Sequence, residues 1–113
     1  MFERESRQIQ GINDAYSAEE QAEYKAQHDA IATEVARLMV EGAEITDQLV
    51  QDQIKNHYEF VCQFWKPSRQ AYKSLALTYV LDPAFEATYE SFAPGLAKYI
   101  KSAIEIWADE NLS

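Results

Sequence analysis

Two histidines, His28 and His57, and one cysteine, Cys62, are the side chains most able to serve as base, nucleophile or soft metal ligand, amid nineteen dispersed Asp and Glu. An enzyme needs such groups held in concert. His57 and Cys62 lie five positions apart, so on one helix their side chains diverge by more than a quarter turn, and a Cys-His pair does not arise naturally from that spacing. His57 and Glu59 lack the one-turn spacing of two ligands on one helical face, and His28 falls on another helix, so a zinc site is not expected. His28 reads as a partly exposed helix position, and His57 as a hydrogen-bonded histidine at the edge of the core. Cys62 alone reads as a small hydrophobe. No catalytic residue, metal site or cofactor is assigned, and the expectation is a protein that is not an enzyme.

The aromatic residues are more informative. Tyr58, Phe60, Phe64, Trp65, Tyr72, Tyr79, Phe85, Tyr89 and Phe92 fall in one short stretch. A buried tyrosine needs a partner for its hydroxyl, so tyrosines mixed with Phe and Trp suit either an ordinary core or a pocket with an apolar body and a few polar tips. The candidate ligand-binding set is His57, Tyr58, Phe60, Phe64, Trp65, Tyr72, Tyr79, Tyr89 and Phe92.

The elements that must position these groups are helical. Ser17-Ala18-Glu19-Glu20 is a capping box, and the apolar stripe Tyr24, Ile31, Val35, Leu38 and Met39, with His28 in register, predicts a helix from Ala18 to Glu41, closed by Gly42. Thr46 is the expected N-cap of a second helix, Asp47 to Phe64, with the charge of Asp47 in its first turn and with Leu49, Val50, Ile54, Tyr58, Val61, Cys62 and Trp65 as its apolar residues. Its last two turns are apolar on nearly every side, so they are enclosed by protein or line a cavity. Pro67 stops it and Ser68 caps a third helix, with Tyr72, Leu75, Ala76, Tyr79 and Val80 on its apolar face. Asp82-Pro83 opens a short fourth helix carrying Phe85 and Tyr89, and Pro94 is expected to open the fifth, with Leu96, Tyr99, Ile100, Ala103, Ile104 and Trp107 on one side. Residues 1–16 lack sustained periodicity and contain Gly11, which reads as a mobile arm; residues 17–113 form the domain. The fold class is all-α, a compact irregular bundle of about five helices, globin-like rather than a regular four-helix bundle.

Length and charge bound the function. The 113 residues suit one domain, and 47% hydrophobic residues suit a packed core. A formal net charge of -9 repels phosphate backbones and anionic headgroups, so neither nucleic acid nor a membrane surface is an expected partner. No apolar run approaches the roughly 20 residues that span a bilayer, and Met1 to Glu5 shows no secretory signal. A single cysteine closes no internal disulfide, and cytoplasmic residence as a monomer is the expectation.

The segment Thr78-Tyr79-Val80-Leu81-Asp82-Pro83-Ala84-Phe85, followed by Ala93-Pro94-Gly95-Leu96-Ala97, resembles the TipAS antibiotic-recognition domain, the effector-binding C-terminal part of TipA-type regulators in the MerR family. Tyr16-Ser17-Ala18-Glu19-Glu20 through Ala36-Arg37-Leu38-Met39 and Gly42 is similar to that family's opening segment, and the resemblance runs from about Tyr16 to Ile104. It implies a globin-like outline with helices wrapped around a cleft for thiopeptide and related multi-ring peptide antibiotics, lined by the aromatic cluster. In such regulators drug binding is passed to an N-terminal winged-helix DNA-binding domain, which this sequence does not contain, so the expectation is a stand-alone drug-binding protein or the effector part of a longer regulator. Two positions depart from the family. A loop cysteine that can bond covalently to a dehydroalanine of the drug is replaced by the stretch Trp65-Lys66-Pro67-Ser68, and Gln21 stands where the family often has tryptophan. Covalent capture and ligand identity are therefore not carried over. The alternative is a protein-interaction module whose cleft accepts an amphipathic partner helix.

Overall fold

The structure, a computed structural model, describes residues 16–113, so the expected arm over residues 1–15 lies outside the described residues. Among the described residues five helices follow in order: α1 Ala18–Val40, α2 Gln48–Val61, α3 Arg69–Leu81, α4 Pro83–Glu90 and α5 Leu96–Asn111. No strand occurs among the described residues.

Local chemistry sets most of the boundaries. Ser17 Oγ accepts from the Glu20 amide at 3.0 Å while Glu20 Oε1 accepts from the Ser17 amide at 2.8 Å, which satisfies two of the amides a helix start leaves open. At the other end of α1, Gly42 adopts φ 92°, and Gly42 N and Ala43 N donate to Met39 O and Leu38 O. This pair of bonds closes the helix through a left-handed residue, where a Cβ would be strained. Ser68 and Asp82 cap α3 and α4 as their sequence contexts predict, with Pro83 in the first turn of α4, whereas α2 is capped by Asp47, whose side chain accepts from Leu49 N, one residue later than the Thr46 expected from sequence.

Two boundaries differ from the sequence reading. α2 ends at Val61 rather than Phe64, because Gln63 N donates to Phe60 O and Phe64 N to Val61 O, tightening the chain into a turn before Pro67. Pro94 does not open α5: Gly95 stands at the N-cap with φ 93°, so helical backbone begins only at Leu96.

α5 packs against all four other helices. Its alanines, Ala97, Ala103 and Ala108, allow close approach, and Leu96, Ile100 and Ile104 fill the space between Val50 and Ile54 of α2, Tyr72 and Ala76 of α3, and Ala32 and Val35 of α1. Burying one such side chain contributes roughly 1.5–3 kcal/mol. Polar ties fix the packing: Gln51 Nε2 donates to Ile45 O at 2.7 Å and to Ala103 O at 3.3 Å, Tyr99 donates to Ala43 O at 2.6 Å, and Lys73 pairs with Asp109 at 2.9 Å. Leu49, counted with the apolar face of α2 in the sequence, points outward near the start of that helix and is 60% exposed. No helix is long and apolar enough to cross a membrane among the described residues.

Candidate functional site

The turn after α2 carries aromatic side chains out of the core. Phe64 is 38% and Trp65 49% exposed, and with Tyr16, Phe60, Val61 and Leu75 they line a recess of about 470 Å³. Its rim is an edge-to-face cluster: Tyr24 and Phe64 lie 4.8 Å apart, Tyr16 and Tyr24 5.1 Å, and Phe60 and Phe64 5.5 Å. Such pairs favour perpendicular rings, the geometry seen here. The hydroxyl of Tyr58 donates to Pro67 O at 2.7 Å, which pins the loop that presents Trp65 to the end of α2. Across the rim, Gln63 Nε2 donates to Gln27 Oε1 at 2.8 Å, holding α1 beside that loop.

The nine residues singled out from sequence divide into three groups. Phe60, Phe64 and Trp65 line the recess. His57, Tyr58, Tyr72, Tyr79 and Tyr89 are buried behind it, and Phe92 lines a second, more open recess of about 500 Å³ between α1 and the α4–α5 turn, with Arg37, Val40 and Ala93 among its walls. The two recesses share no lining residue. Leu75, Tyr16 and Tyr24 belong with the first group; Leu75 shares a face of α3 with Tyr72 and Tyr79, a signal readable from sequence, whereas Tyr16 precedes the helix and carries no periodic signal.

The buried group forms a polar file across four helices. His57 Nδ1 lies 2.7 Å from the Tyr72 hydroxyl and its Nε2 3.2 Å from that of Tyr79. The rings of Tyr79 and Tyr89 pack against each other with centroids 4.7 Å apart. Tyr89 in turn meets His28 Nε2 at 2.8 Å, and His28 Nδ1 lies 3.3 Å from Asp29 Oδ1. Burial, with a smaller contribution from the nearby charge of His28, lowers the pKa of His57 to about 3, so its imidazole is neutral in ordinary buffers. Burial also pushes Tyr79 up to about 12 and raises Tyr72 and Tyr89, which keeps all three hydroxyls protonated. Sequence reading placed His28 at a partly exposed position, and it is one, but its bond to Tyr89 spans 61 residues and no local pattern announces it.

Both nitrogens of His57 are thus engaged with tyrosines and neither with Cys62. The thiol of Cys62 is half-buried beside Tyr58, whose hydroxyl proton goes to Pro67 O. Activation to a thiolate needs a nearby cation or base. Among the described residues no group of three or more His, Cys, Asp or Glu could hold a metal ion.

An all-helical fold with a buried polar file behind an open aromatic recess defines a small recognition domain. The family model of the TipAS antibiotic-recognition domain matches residues 3–107, and the chain belongs to that family. The HTH-type transcriptional regulators SkgA of two Caulobacter vibrioides strains, NA1000 / CB15N and ATCC 19089 / CIP 103742 / CB 15, are each 27% identical over 89 residues, covering 77% of this chain and 35% of the regulator. The chain therefore spans about a third of the length of the curated relatives it matches. A solved structure of TipAS from Streptomyces lividans in complex with nosiheptide, described as part of a thiopeptide antibiotic multidrug resistance system, superposes with a TM-score of 0.82 over 92% of this chain and 73% of that one, at 22% identity. That likeness establishes the globin-like fold expected from the sequence.

Proposed function

We propose that this domain recognises multi-ring peptide antibiotics of the thiopeptide class without covalent capture, in the recess lined by Phe60, Phe64 and Trp65. The observation that carries the reading is the exposure of Phe64 and Trp65 together on that recess, since exposed aromatics gathered on one concave patch, unlike hydrophobics scattered singly, mark a binding site. Apolar stacking supplies the affinity, and His57, Tyr58, Tyr72, Tyr79 and Tyr89 set the floor against which the ring walls stand. Phe92 serves the second recess and contributes at most to an extended ligand. Residues 17–113 act as the recognition unit, either as the effector part of a transcriptional regulator or as a stand-alone drug binder. In this reading the domain is cytoplasmic and monomeric, and does no chemistry. With a net charge of -9 it leaves DNA contact to another segment.

The test is a titration of the purified chain with nosiheptide and other thiopeptides, read by fluorescence and thermal shift. Trp107 is buried against Tyr58, with ring centroids 5.0 Å apart, so it acts as an internal reference while Trp65 reports. Saturable quenching with a raised Tm, retained in Cys62→Ala and with the quenching lost in Trp65→Phe, supports the reading. No response to thiopeptides, with a response to an amphipathic helical peptide, would replace it by a protein-interaction module.

A further inference from the structure

A third recess, of about 320 Å³, lies between the first two turns of α2 and the last two of α5, and it shares no lining residue with the aromatic one. Its floor carries an acceptor with nothing to accept. Gln51, which lines the recess, is only 8% exposed. Its Nε2 protons go to Ile45 O at 2.7 Å and Ala103 O at 3.3 Å, whereas its Oε1 is buried without a hydrogen-bond partner among the described residues. The amide cannot be turned round, because that would set Oε1 against two carbonyl oxygens. A buried acceptor left unpaired is destabilising, and folded interiors keep few of them. The rim above it is made of side chains rather than backbone: Asp52, Lys55 and Glu110 are all exposed, so a donor reaches the floor without any movement of a helix.

We propose that this recess is a separate binding site for a small primary alkylammonium, one N–H of which donates to Gln51 Oε1. An ammonium offers three donors and no acceptor, which suits a site of acceptors. The carboxylates of Asp52 and Glu110 stand on the rim against one lysine, Lys55, and none of the three is ion-paired with another among the described residues. Asp52 accepts from Gln48 Nε2 at 2.7 Å, and a carboxylate has room for further donors. The end of α5 adds the partial negative charge of a helix C-terminus, while the positive end of α2 is already met by Asp47, which accepts from Leu49 N. Buried Trp107 supplies the apolar wall along which an alkyl chain lies. The volume equals that of about ten water molecules in the liquid, which admits a small amine and excludes a thiopeptide. The assignment is independent of what the aromatic recess binds.

The test is a pair of titrations of the full ¹⁵N-labelled chain at constant ionic strength, one with n-butylammonium chloride and one with tetramethylammonium chloride. The two cations are isomers of equal charge, but the second has no N–H. Taking the donor from the probe, rather than the acceptor from the protein, leaves the fold untouched. A saturable shift of the Gln51 side-chain amide and the Trp107 indole signals is expected with n-butylammonium. Tetramethylammonium should bind at least about tenfold more weakly, the fold-change of one charge-assisted hydrogen bond. Asp52→Asn combined with Glu110→Gln, both at exposed positions, should weaken n-butylammonium binding about tenfold, with a Tm no lower than that of the parent chain. Shifts that never saturate, an equal response to the two cations, or unchanged binding in the double variant would each overturn the proposal, the first leaving water as the partner of Gln51 Oε1. No thiopeptide enters these titrations, so their failure bears on this recess alone.

Discussion

The Tyr72 hydroxyl in the first turn of α3 is hydrogen-bonded to Nδ1 of His57 in the last two turns of α2, across 2.7 Å and out of reach of solvent. Tyr72→Phe keeps the ring that packs on Tyr58 and Trp107 but orphans one imidazole nitrogen. The expected cost is about 1–3 kcal/mol of unfolding free energy, the desolvation penalty of an unpaired buried polar group. Chemical denaturation of the two proteins at neutral pH checks it; an unchanged midpoint would mean that water replaces the hydroxyl.

His57 also predicts an acid limb. Its pKa is lowered to about 3 by burial and by His28, against an ordinary value near 6.5 once the chain unfolds. Between these values the unfolded state holds a proton that the folded state refuses, so stability rises with pH across that window. The contribution is fully present above about pH 6.5 and is lost as pH falls towards about 3, by up to roughly 1.4 kcal/mol per pH unit. Unfolding free energies measured at a series of pH values should show this slope, and His57→Gln should remove it at a lower overall stability.

Trp65 separates binding from folding. A core tryptophan would cost about 3–5 kcal/mol on truncation, and the sequence, which places Trp65 in an aromatic run beside Pro67, does not say which way it faces. The side chain is 49% exposed, so Trp65→Ala is expected to cost less than about 1.5 kcal/mol, a fraction of the fully buried case. Thiopeptide affinity should nevertheless fall by tenfold or more, as for an aromatic anchor worth about 2 kcal/mol. A Tm near that of the parent chain with intact nosiheptide binding would remove Trp65 from the recess wall.

What could be read from sequence follows the range of the interactions. The capping box at Ser17 and the caps at Asp47, Ser68 and Asp82 are bonds between residues two or three apart, and the pattern announces each of them, the cap of α2 one residue early at Thr46. The end of α2 and the start of α5 were misplaced because turn bonds at Phe64 and a left-handed Gly95 cut in where apolar periodicity continues. The sequence leaves the aromatic cluster open between ordinary core and pocket, and its division into wall, floor and second recess depends on contacts such as His28 with Tyr89 and Tyr58 with Pro67. Residue type alone does not tell the floor from the wall, since tyrosines and phenylalanines alternate through the stretch.

The start of α5 is held from outside the helix. Gly95 has no side chain to cap it, and Glu90, the last residue of α4, instead accepts from Gly95 N at 2.8 Å and from Ala97 N at 3.0 Å. These amide donors hold the Glu90 carboxyl below its ordinary range, so its support is present above the ordinary carboxylate pKa and is lost as pH falls through the lowered value. Glu90→Ala should therefore cost about 0.5–2 kcal/mol, the loss of an N-cap, at neutral pH and less in acid. Gly95→Ala tests the same junction differently: nothing lies within 4 Å of a built Cβ, so the expected loss of about 1–2 kcal/mol comes from the φ of 93° alone and is independent of pH. Equal pH dependence in the two variants, measured by thermal unfolding, would show that the Glu90 bonds do not hold α5.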